Sequence, residues 1–125
     1  MSVRAAVLSV GIAFAVLTAI ELVVGQWAVG ETDILLRTTK SNLLHWAVAL
    51  VLLGAFFSGL EASRIAVRVV GLVLAGIGAW GLLSPSTLGD FLGYAGEIPS
   101  SYGVLHLLGG AGSLVAGFVG SRKLA

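Results

Sequence analysis

Apolar residues fall in four long, nearly unbroken blocks along this chain, roughly Ala5–Val24, Asn42–Leu60, Ala66–Leu83 and Tyr102–Gly120. A helix needs about 20 apolar residues to cross a bilayer, at a rise of about 1.5 Å per residue. Strands of a membrane barrel would instead alternate over about ten residues, and lipid cannot satisfy open backbone groups. The blocks therefore predict helices. Ser41 and Asn42 are expected to cap the second, Pro85 after Ser84 to close the third, and Pro99 with Ser100 and Ser101 to open the fourth. A tight turn at Glu61–Arg64 would join helices two and three. Of the two longer connections, the later one spaces Leu88, Phe91, Leu92 and Tyr94 as a helix does, and the earlier one carries Ile34, Leu35 and Leu36. Each reads as a short helix in the membrane interface or as an irregular loop dipping among headgroups. The expectation is a single domain over residues 1–125: an all-α, integral membrane four-helix bundle. Arg4 before the first block also fits a signal peptide. The block is too long for a typical h-region, however, and no clear A-x-A site follows, so a retained helix is expected.

Composition agrees. Of 125 residues, 58% are hydrophobic and 10% charged, and mean hydropathy is +1.05. A soluble domain carries about a quarter charged residues, so a water-soluble globule is excluded. The absence of Cys excludes disulfides and thiolate metal sites, and a net charge of +1 leaves no polybasic surface for nucleic acid. Arg4, Arg64, Arg68, Arg122 and Lys123 fall on one side of a four-span topology, and Arg37 and Lys40 on the other. The excess predicts a bacterial inner-membrane protein with both termini in the cytoplasm. Arg64 and Arg68 act as topology determinants in this reading, with attraction of anionic lipid as the alternative.

Membrane helices associate over small residues, since lipid tails are as apolar as Leu. Rows at every fourth position occur at Gly11-Ala15-Ala19, Gly71-Ala75-Ala79 and Gly109-Ser113-Gly117, with Gly112-Ala116-Gly120 beside the last. Two small faces on helix four predict a further contact, in a homo-oligomer or with a subunit of a larger complex. The alternative is that Gly is simply common in membrane helices. No phosphate-binding Gly motif is present.

Leu44-His45 recurs 61 residues later as Leu105-His106, so two hairpins are expected to form a parallel repeat. Both His, Glu21 and the level marked by Trp80 fall at one depth, near the outer interface. Trp27, Trp46 and Trp80 fit an aromatic belt there. Ionisable groups in a membrane cost free energy, and three readings compete for this layer. Glu21, His45 and His106 act as hydrogen-bonded glue; or they bind haem, another pigment or a metal; or they form a proton or cation site of an oligomeric transporter or sensor. Both His lie near helix N-termini, where the dipole favours a neutral ring. No Ser-His-Asp arrangement exists, so no catalytic residue is assigned and a non-catalytic structural or accessory role is expected.

Asn42-Leu43-Leu44-His45, with Val104-Leu105-His106-Leu107-Leu108-Gly109-Gly110, resembles the small bacterial four-helix membrane proteins of the domain of unknown function 4383 family. The resemblance covers about Thr38 to Gly120 and implies a four-span bundle with a His in helices two and four, and no activity. It marks Asn42, His45 and His106 as family-typical positions. Ala49 departs from a frequent Gly, and Gly103 from an expected Asn. Small multidrug transporters share the length and a Glu in helix one, but theirs lies near mid-membrane and Glu21 does not.

Overall fold

The computed structural model describes residues 2–27, 39–94 and 96–120, with their side chains except at 21–27 and 39. Among these residues the chain forms helices only: α1 Val3–Trp27, α2 Thr39–Ser58, α3 Leu60–Leu83, α4 Pro85–Leu92 and α5 Ser100–Val119. All but α4 are long and apolar enough to cross a membrane, which makes the chain a multi-pass membrane protein. Only 22–39% of the residues in each span are buried inside the bundle. The rest, such as Leu50, Phe57, Leu72 and Leu108, face outward, where lipid replaces water as the solvent.

Helix boundaries differ from the expected ones for local reasons. Ser2 starts α1 by accepting a hydrogen bond at its Oγ from the Ala5 N–H, at 3.1 Å. Ser41 and Asn42 lie inside α2, and Ser100 and Ser101 inside α5, so none of the four caps its helix from outside. The turn between α2 and α3 is Gly59 alone, whose φ of 116° an L side chain disfavours. Glu61 and Arg64 therefore belong to the first turns of α3, not to a loop. Pro85 does follow the end of α3, at the first position of α4, where its missing N–H costs nothing. Of the two readings of this connection, a short helix or an irregular loop, the helix is the one that forms, but it is not laid on lipid alone. Leu88 and Leu92 are fully buried with Ile98 and Tyr102, and Phe91 stays exposed. α4 is thus a lid over one end of α3 and α5, held also by the Ile98 N–H donating to the Pro85 carbonyl at 3.2 Å. The segment with Ile34, Leu35 and Leu36 lies outside the described residues, as does the Trp27 side chain.

Two antiparallel hairpins build the bundle, α1 with α2 and α3 with α5. The second is packed backbone to backbone. A Cβ at Gly71 would stand 2.9 Å from the Leu114 nitrogen and 3.0 Å from the Gly110 oxygen, and one at Gly103 would stand 3.0 Å from the Gly78 oxygen. The working glycines therefore recur every seventh residue, 71 and 78 against 103, 110 and 117, which is the period of an antiparallel helix seam. The expected every-fourth rows share Gly71, Ala75 and Gly117 with this seam, while Gly109 and Gly112 face open space.

The hairpins are repeats of one another in sequence and in contacts. Arg4, Ala6, Val7, Val10, Gly11, Ala15 and Ala19 recur 60 positions later as Arg64, Ala66, Val67, Val70, Gly71, Ala75 and Ala79. Leu44, His45, Leu53, Ala55, Phe57 and Gly59 recur 61 positions later as Leu105, His106, Leu114, Ala116, Phe118 and Gly120. Equivalent residues make equivalent contacts: Gly11 faces Leu53 as Gly71 faces Leu114. Arg4 Nη2 donates to the Phe56 carbonyl at 3.2 Å and lies over the Phe56 ring. On the second hairpin a non-equivalent residue takes this part: Arg68 Nε donates at 2.9 Å to the carbonyl of Gly117, the counterpart of Phe56, and its guanidinium lies over Phe118. Both carbonyls belong to the last turn of a helix, which has no intrahelical partner for them. Val3, Val7, Leu52, Val67, Val70 and Leu74 close the core between α1, α2 and α3 at this arginine-bearing end.

Candidate functional site

The two intramembrane histidines meet. The rings of His45 on α2 and His106 on α5 are 6.1 Å apart, centroid to centroid, with planes 21° from parallel. Phe14 of α1 lies 5.6 Å from His45, and Tyr102 stacks on His106 at 4.0 Å. A continuous row of rings, Tyr102–His106–His45–Phe14, thus crosses the bundle from α5 through α2 to α1. Each such pair is worth about 0.5–1.5 kcal/mol beyond its buried area. His45 is 6% exposed. His106 Nδ1 lies 2.8 Å from the Tyr102 carbonyl oxygen. A carbonyl only accepts, so Nδ1 carries the proton, and in the neutral ring Nε2 is the acceptor.

The site departs from the expected layer in three respects. Because α2 begins at Thr39 and α5 at Ser100, each His lies about 9 Å into its helix, further from the helix start than the apolar blocks alone imply. At this depth α1 presents Phe14. Glu21 follows seven residues later on α1, a rise of about 10 Å toward the end where α2 and α5 begin, and its side chain lies outside the described residues. Trp80 packs on Phe91 of α4, at 5.3 Å between rings, and not on either His. Asn42 stands on the first turn of α2, half-buried and hydrogen-bonded or otherwise in contact. Arg68 is held by the end of α5, as described above, and the Arg64 Nε and Nη2 atoms are buried. Neither guanidinium is spread on a lipid-facing surface. Lys40 Nζ donates to the Phe91 carbonyl at 3.0 Å, which ties α2 to α4.

Beside the ring row a half-open cleft of about 250 Å³ separates α1 from α5. Val10, Phe14 and Leu17 form one wall and Leu105 and Gly109 the other, above His45, His106, Leu74 and Ser113. The repeat explains why it exists. The corresponding interface, between α3 and α2, is filled by Val48 and by the fully buried Leu52. Sixty-one positions later those residues are Gly109 and Ser113, so α1 and α5 meet over smaller side chains and touch only sparingly. No sequence reading of the polar residues pointed to this cleft; its signal was the pair of small residues where the other repeat has large ones.

Cavities that hold drug-sized ligands run to about 300–1,000 Å³, so a tetrapyrrole does not fit between these rings as they are packed. Among the described residues there is also no group of three or more His, Asp or Glu able to hold a metal ion. No family model, curated protein or solved structure matches the chain. The resemblance to the domain of unknown function 4383 family therefore rests on the quoted residues alone.

Proposed function

We propose that the protein is a non-catalytic membrane bundle with a structural or accessory-subunit role in the bacterial cytoplasmic membrane. One observation carries this reading: the row Tyr102–His106–His45–Phe14 uses both intramembrane histidines to join the two hairpins. Polar groups spent in this way act as glue, at about 0.6 kcal/mol for an average interhelical hydrogen bond in a membrane and about 0.5–1.5 kcal/mol per ring pair. Orientation follows from the arginines that gather where α1 and α3 begin, which is the cytoplasmic end by the positive-inside rule. Thermal unfolding in detergent tests the structural role. His45→Ala and His106→Ala are each expected to lower the midpoint clearly, and midpoints equal to the parent's would overturn the reading. For the accessory role, native mass spectrometry of the protein taken from its own membrane is expected to show a heteromeric or homo-oligomeric mass. A purely monomeric mass in mild detergent contradicts it.

A further inference from the structure

The second hairpin carries one arginine more than the first. Arg4 recurs as Arg64, but Arg68 stands where the first hairpin has Leu8. In the first hairpin Arg4 Nη2 donates to the Phe56 carbonyl at the end of α2. The counterpart of that carbonyl, on Gly117 of α5, is taken by Arg68. Arg64 is thereby displaced from the part that its own counterpart plays. Among the described residues its Nε and Nη2 atoms are buried without a hydrogen-bond partner, and Glu61, the acid one turn before it, is exposed. Burying a charged group in this way is costly, and an arginine cannot escape by giving up its proton. The unused fork is the group at this end of the bundle that gains most from an anion.

The surroundings say which anion. Gly59 joins two membrane spans and so marks the membrane surface. Arg64 lies five residues beyond it, a rise of about 7 Å. A helical side chain leans toward the N-terminus of its helix, and a long arginine snorkels toward the interface, so the fork reaches the level of the lipid phosphates. There α3 begins with no side chain bonded to its first N–H groups, and such a helix start adds a preference for an anion. The planar guanidinium matches two phosphate oxygens at once. Arg4 and Arg68 share this end, where Glu61 is the one acid among the described residues, so a head with net negative charge is favoured over one that carries its own ammonium. A soluble phosphate has the same chemistry but lacks the acyl chains that would keep it at this depth. We propose that Arg64 anchors a site for the phosphate headgroup of an anionic phospholipid, its guanidinium leaving the unpaired position to hold the phosphate against the start of α3. The site goes beyond the structural role of the histidine pair and does not depend on it. Phosphates border both leaflets, so it does not depend on the orientation of the chain either.

Native mass spectrometry of the full chain in detergent, titrated separately with phosphatidylglycerol, phosphatidylcholine and soluble glycerol phosphate, tests the proposal. Saturable binding of phosphatidylglycerol is expected, with the other two each weaker by about tenfold or more. Arg64→Met is expected to weaken phosphatidylglycerol by about tenfold. Arg68→Met removes the same charge from a guanidinium already bonded to Gly117, and is expected to weaken it by less than about threefold. Equal affinity for the two lipids, glycerol phosphate bound as tightly as the lipid, or equal losses in the two variants would each overturn the proposal. Thermal unfolding separates the site from the fold. Without lipid, Arg64→Met is expected to unfold at a midpoint equal to the parent's or higher, because it removes a charge that has no partner. Phosphatidylglycerol should raise the midpoint of the parent and not that of Arg64→Met. A lower midpoint for Arg64→Met without lipid would mean that the fold already uses this guanidinium, and would overturn the proposal. The comparison of the three ligands needs only the parent protein, so it stands even if a variant fails to fold.

Discussion

His45 has ring neighbours on two sides, His106 at 6.1 Å and Phe14 at 5.6 Å, and its truncation removes both. At about 0.5–1.5 kcal/mol per pair, His45→Ala should destabilise the bundle in detergent by about 1–3 kcal/mol, measured by thermal or denaturant unfolding. Arg68 offers a second test at this scale. Its hydrogen bond to Gly117 involves a charged donor, and bonds of that kind contribute about 1.5–3 kcal/mol. Arg68→Ala is therefore expected to cost about that much, whereas truncating the exposed Glu61 should cost almost nothing in the same melt. The histidines were legible in the sequence because an ionisable residue inside an apolar block stands out, and their shared spacing implied that they would lie at one depth. Phe14 and Tyr102, the other half of the row, were not legible: an aromatic residue among apolar ones gives no signal of its neighbours. Glu21 reads as level with the histidines when its position is counted back from the end of the apolar block. α1 in fact continues to Trp27 and meets His45 two turns earlier, at Phe14.

Adjacent glycines on α5 have opposite roles, and this gives the sharpest test at the scale of the element. Gly110 faces the α3 backbone while Gly109 faces open space. Gly110→Leu should prevent the α3–α5 hairpin from closing, with loss of cooperative unfolding; Gly109→Leu should unfold at a midpoint equal to the parent's or higher. Copying the first repeat into the second makes the complementary change. The double substitution Gly109→Val with Ser113→Leu restores the residues that fill the α2–α3 interface. It is expected to raise the unfolding midpoint, and a clear fall would contradict the account of why the cleft is there. Four spans could be read from apolar block length, because lipid leaves the backbone few alternatives, whereas spacing left the connection after Pro85 open between a short helix and a loop. The seam could not be read as easily. Small residues occur at spacings of three, four and seven at once in α5, and only the position of α3 decides which set is used. The early start of α3 was hidden for a similar reason: Glu61 and Arg64 look like a polar loop, but Gly59 completes the reversal before them.

For the whole molecule, the proposed orientation places the arginine-bearing end of both hairpins in the cytoplasm. Reporter domains fused to the N-terminus and to the C-terminus should both be found in the cytoplasm, and opposite locations would contradict a four-span chain. The repeat relates α1 to α3 and α2 to α5, so it brings His45 and His106 to matching places in the two halves, and a single contact between them tells whether the halves assemble as described. The most direct measurement is a double-mutant cycle on that contact, with His45→Ala, His106→Ala and the double variant unfolded under the same detergent conditions. A coupling free energy of about 0.5–1.5 kcal/mol is predicted for a ring pair of this kind. Effects that add to within about 0.3 kcal/mol would mean that the two histidines do not touch, and would contradict the central claim that they join the hairpins.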